Sequence, residues 1–229
     1  MTRPDVKIAV SGVLVACAVA AALPAWSDIA FMASKDEEQS HIWLAVPVAL
    51  WLGWMRRKRL RRVEPDFAWL GPIAALVCIV LARIGFGRGF DVFWHAGAVG
   101  MVIAAILTVW GLPAVWRLAP AFLALGFLLP VPGRIRASIA IPLQDTSAQW
   151  TQILLEGFGF AVERAGNILN INGETVAVAE ACNGMRMVSA LLLVAYTFVF
   201  SGPMRWSGRI FILAISPIVA LFINTLRLM

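Results

Sequence analysis

A chain of 229 residues that is 61% hydrophobic and only 14% charged is too apolar to cover a water-soluble globule, since soluble domains average about 45–50% apolar and about 25% charged residues. Its net charge of +6 sits in short clusters between apolar runs, which points to membrane orientation and away from nucleic acid. Cys17, Cys78 and Cys182 are too scattered for a disulfide framework, and two distant histidines without paired Cys or carboxylate spacing support neither a metal site nor a cofactor.

In chain order, the weakly basic MTRPDVK precedes an apolar run that reads as an uncleaved first span over about 8–26. An acidic loop with Asp28, Asp36, Glu37 and Glu38 follows, and then a second span over about 41–54. RRKRLRR, with six basic residues between Arg56 and Arg62, orients the chain. With that cluster cytoplasmic, the acidic loop lies outside. Further spans are expected over about 67–84, 92–110 and 113–130, with a short GFGRGFD loop after the first of these. Residues 141–163 mix apolar and polar side chains at near-helical spacing, with Ile141, Ala148, Ile153, Leu154, Phe158 and Val162 on one side. Asp145, Gln152, Glu156 and Glu163 are too polar for a lipid-exposed span, so an interfacial helix fits. NILNINGETVAVAEA alternates around Asn172-Gly173, the pattern of a β-hairpin. Spans over about 185–200 and 210–226 close the chain, with Arg205 and Arg209 between them on the cytoplasmic side. The count is seven, or eight if 141–163 crosses fully. The fold expected is therefore an all-α integral membrane protein, a single polytopic domain over 1–229, with a short extracytoplasmic hairpin.

Chemistry concentrates at one place in this scheme. Cys182 falls where the hairpin segment enters a helix at the outer face, with Arg186 one turn on and Arg227 at the outer end of the next span. A thiol at a helix N-terminus beside guanidinium groups is set up for a thiolate, the nucleophilic form. A nearby guanidinium can also donate to an oxyanion. The same residues have plain readings too: a structural cysteine, and arginines that reach to the interface. Arg227 runs against the positive-inside rule, which adds weight to it. Cys17 and Cys78, inside apolar spans, read as small buried hydrophobes. His41 and His95 both fall near outer helix ends, where interfacial roles are ordinary.

GNILNINGETVAVAEACNGMR over 166–186 and PIVALFINTLR over 217–227 resemble the signature blocks of the exosortase and archaeosortase family, and LPVPGRIRASIAIPLQ over 129–144 resembles the segment before them. The resemblance is clear over about 120–229. It implies a membrane cysteine peptidase or transpeptidase of the cytoplasmic membrane, acting at its outer face. Its partners would be exported proteins with a C-terminal tripartite sorting signal: a motif such as Pro-Glu-Pro, a membrane helix and a basic cluster. It implies Cys182 as nucleophile and Arg227 as catalytic arginine, with Arg186, Asn183, Gly184 and Asn224 supporting. Asn183 stands where Ser is usual. The family's third catalytic residue, a His or Arg on a further helix, is expected beyond Arg227, so the sequence reads as a fragment or an impaired protein. The rival from another class is a non-enzymatic scaffold or transporter component of envelope or polysaccharide export. It would use the same spans and a structural Cys182, but almost no ionisable residue lies at mid-membrane to support transport.

Overall fold

The computed structural model describes residues 4–60, 66–171, 174–177 and 185–228. Nine α-helices and three β-strands are found among these residues, and they divide into two units, one over 1–36 with 42–130 and one over 37–41 with 131–229.

The first unit holds α1 (Pro4–Ala21), α2 (Leu23–Lys35), α3 (Ile42–Leu60), α4 (Leu70–Arg88), α5 (Asp91–Trp110) and α6 (Leu112–Ala124). The single first span expected over 8–26 is instead two helices bent by 74°. Pro24 explains the break, because it has no N–H to donate and its ring collides with the carbonyl one turn earlier. Asp28 is thereby on α2 rather than in a loop. α3 runs on through Arg56–Arg59 instead of ending before them, and Arg57 lies 3.5 Å from the centre of the Trp54 ring.

α4 and α5 form the tightest pair. The expected GFGRGFD loop shrinks to Gly89-Phe90, where Gly89 adopts φ +68° and ends α4 in the left-handed conformation. Small residues let the two backbones approach: a Cβ on Gly97 would stand 2.6 Å from the Cys78 carbonyl oxygen and 2.8 Å from the Ala82 nitrogen. Most of α4 otherwise faces outward, with Ile73, Leu76, Val77 and Val80 exposed, as a lipid-facing helix requires. α1 is tied to α5 where the Trp110 indole donates to Ser11 Oγ at 2.7 Å. Arg117 of α6 donates to the Arg59 carbonyl at 2.8 Å. Cys17 is exposed on α1 and Cys78 half-buried on α4, so the expectation of two buried cysteines is not met.

The second unit holds a short 3-10 turn at 37–39, α7 (Gly133–Gly157), β1 (Val162–Ala165), β2 (Ile168–Ile171), β3 (Glu174–Ala177), α8 (Met185–Ser201) and α9 (Trp206–Leu228). The hairpin expected at Asn172-Gly173 is present as the antiparallel β2–β3 pair, with Ile171 opposite Glu174 and the two turn residues outside the described residues. A third strand joins it, β1, through a second turn in which Gly166 has φ +64°. α7 begins eight residues before the helix expected at 141 and ends at Gly157, and Val162 and Glu163 belong to β1. Its apolar side and its buried face coincide only in part. Ala140, Ser147, Ala148, Thr151 and Leu155 are buried, while Ile141, Ile153 and Phe158 are exposed. A small core of Ala148, Leu155, Val162 and Leu169 joins α7 to the sheet.

By length and composition α4, α5 and Trp206–Arg227 of α9 suit membrane crossing, and two bent pairs, α1–α2 and the helical stretch 112–128 with α7, bring the number to five. α8 is apolar but shorter, at 17 residues. The protein is thus mostly helical with several candidate spans and a small sheet.

Candidate active site

α8 and α9 are neighbours in the second unit, joined by the short 202–205 connection, so they run antiparallel. Arg186 is in the first turn of α8 and Arg227 in the last turn of α9, and both are exposed. Counting about 1.5 Å of rise per residue back to the connection puts Arg186 about 22 Å and Arg227 about 32 Å from it. Both arginines are therefore at the same end of the helix pair, with Arg227 roughly 9 Å further out. Cys182, Asn183 and Gly184 lie outside the described residues.

Asn224 differs from both arginines in being buried, at 1% exposure. Its Nδ2 donates to Ser147 Oγ of α7 at 3.4 Å. Ser147, Thr151 and Thr225 are buried with it. Thr151 donates to the Ser147 carbonyl at 2.8 Å and Thr225 to the Leu221 carbonyl at 3.0 Å, each within its own helix. This seam is a feature that sequence reading missed. Its signal was the i, i+4 spacing of Ser147 and Thr151 on α7.

The acidic segment before α3 also belongs to this unit. Glu38 approaches Arg136 of α7 at 3.6 Å, and the 3-10 turn that carries Glu38 packs on α8. His41 Nδ1 lies 3.1 Å from the Glu38 carbonyl, a local contact at a helix start. His95 belongs to the first unit, where it is fully buried and its Nε2 lies 3.0 Å from an Asp28 carboxylate oxygen. Trp94 stacks on the His95 ring at 5.1 Å between centres. The Asp28–His95 pair ties α2 to α5, an ordinary structural use of a buried imidazole. Among the described residues no three His, Cys, Asp or Glu side chains gather as a metal site.

What the second unit offers chemically is a pair of exposed guanidinium groups at one end of two packed helices, with a buried polar seam joining α9 to α7. Two cations at that end favour anionic species, whether a thiolate or the oxyanion of an acyl-transfer intermediate. The sequence profile described as transmembrane exosortase matches residues 26–229, a stretch that includes every residue just named. No curated protein and no solved structure matches the chain.

Proposed function

The chain belongs to the transmembrane exosortase family, and we propose that it is a cysteine peptidase or transpeptidase that cleaves the C-terminal sorting signal of exported proteins at the outer face of the cytoplasmic membrane. The observation that carries this reading is the extent of the family match, which takes in both AEACNGMR at 179–186 and PIVALFINTLR at 217–227. The common end of α8 and α9 occupied by Arg186 and Arg227 supports it. Cys182 is four residues before Arg186, and four residues of chain reach about 6 Å as helix and up to about 14 Å extended. The height of Arg227, roughly 9 Å beyond Arg186, falls inside that range.

In this mechanism the Cys182 thiolate attacks the scissile backbone carbonyl and forms a C–S bond. The carbonyl oxygen takes up the electron pair, and the Arg227 guanidinium donates to the resulting oxyanion. Collapse breaks the C–N bond, and the leaving amine, which carries the membrane anchor, takes up a proton. An acceptor amine or water then attacks the thioester, releases the substrate and restores the thiolate. Arg186 and Asn224 support the site without touching the reacting atoms.

The test is a reporter with a tripartite sorting signal, expressed with the full-length protein and followed by its mobility on a gel. Processing that disappears in Cys182→Ala, with the protein still present in the membrane, is the expected result. Processing that survives Cys182→Ala removes the cysteine mechanism.

A further inference from the structure

The buried seam between α7 and α9 does more than hold two helices together. Ser147 and Ala148 are adjacent on α7 and both are wholly buried, yet they serve different neighbours. Ala148 packs with Leu155 against Val162 of β1 and Leu169 of β2. Ser147 accepts the hydrogen bond from Asn224 of α9. β2 pairs with β3, and β3 ends at Ala177, five residues before Cys182. Asn224 is three residues before Arg227, so the two lie on neighbouring faces of one turn. A single helix therefore grips both the sheet that leads to Cys182 and the helix end that carries Arg227.

We infer that Ser147 is the positioning residue that locks α9 to α7 through Asn224, and that this lock sets where the guanidinium of Arg227 stands. The inference rests on the function proposed above and adds to it a residue that neither signature block contains. Chemistry explains why a hydroxyl and an amide stand here. Apolar contacts between helices fix their placement only through shape, whereas a hydrogen bond adds a direction and a length between two named atoms. Thr151 and Thr225 spend their hydroxyl protons on their own helices, so it is the Asn224 amide that reaches across. A small displacement at this height moves the guanidinium of Arg227 relative to the oxyanion it must meet, and misplacement on the order of 1 Å is enough to lose rate.

The experiment measures kcat and KM for cleavage of a sorting-signal reporter by the full-length protein in its membrane, at matched protein amounts. The variants are Ser147→Ala, Asn224→Ala and the double substitution, with Cys182→Ala alongside. Serine to alanine changes volume little, so loss of fold does not cloud the readout. Expected is a fall of about tenfold in kcat for each single variant with KM within about twofold. The double variant should fall no more than about twofold below Asn224→Ala, because Ser147→Ala removes a bond that Asn224→Ala has already removed. A Ser147→Ala protein with the parent kcat overturns the inference, as do losses that multiply in the double variant or appear in KM alone. Cys182→Ala separates the two levels: if it still cleaves, the proposed function fails and the inference with it. If it is dead while Ser147→Ala is unimpaired, the inference alone fails.

Discussion

Gly97→Ala is the substitution whose effect follows most directly from the geometry. The added methyl group would meet Ala82 Cβ and the Cys78 carbonyl oxygen at 2.6 Å each and the Ala82 nitrogen at 2.8 Å. Non-bonded heavy atoms rest at about 3.5–4.0 Å, so α4 and α5 must part by roughly 1 Å. Two of these three neighbours are backbone atoms, which cannot swing aside as a side chain can. Overpacking of this kind costs about 1–3 kcal/mol, against which alanine's better helix propensity returns up to about 1 kcal/mol. With two backbone neighbours that cannot yield, the cost falls in the upper part of that range, about 2–3 kcal/mol, and the net expectation is a loss of about 1–3 kcal/mol. Reversible unfolding in mixed micelles with increasing dodecyl sulfate, followed by the fluorescence of the ten tryptophans, measures it. Gly12→Ala is the control, because a Cβ there has nothing within 4 Å; it should be neutral or slightly stabilising. A Gly97→Ala protein as stable as the parent refutes the close α4–α5 contact.

Asp28→Ala should destabilise by about 1–3 kcal/mol, because it leaves a fully buried His95 whose Nδ1 has no partner among the described residues. Asp28→Asn, which keeps an acceptor oxygen, should recover most of that loss in the same titration. Leu169→Ala removes a side chain only 2% exposed from the core between α7 and the sheet, with an expected loss of about 2–5 kcal/mol; protease sensitivity of the 158–171 region reads it. Arg227→Lys keeps the charge but loses the planar fork of donors. Reporter cleavage should fall more than about tenfold with the membrane level of the protein unchanged, and parental activity would show that charge alone suffices.

What the sequence by itself determined is local. Mean composition and runs of about 20 apolar residues establish a membrane protein because no short-range arrangement hides that much apolar surface from water. Asn172-Gly173 between alternating residues determines the β2–β3 register, with Ile171 opposite Glu174, because a two-residue turn leaves no other pairing. The span over 92–110 matches α5 to within one residue, bounded by Phe90 and Gly111. The two signature blocks were likewise legible, since each is a contiguous string. Pro24 was visible as well, yet its consequence, a 74° bend rather than a kink within one span, depended on what packs against α2.

The tertiary structure decided which residues meet. Asp28 and His95 are 67 residues apart, and Asn224 and Ser147 are 77 apart. Neither pair leaves a periodic trace, because a contact between two elements is written in no single stretch of chain. The inward face of α7 was hidden for the same reason. Periodicity put Ile141, Ala148, Ile153, Leu154, Phe158 and Val162 on one side, of which Ala148 and Val162 are buried and Ile141, Ile153 and Phe158 exposed. In an amphipathic helix at a membrane, however, apolar side chains can face lipid, while small and hydroxyl residues face protein. Hydrophobicity then no longer tells inside from outside, and only packing against β1, β2 and α9 shows that Ser147, Ala148, Thr151 and Leu155 are the buried side.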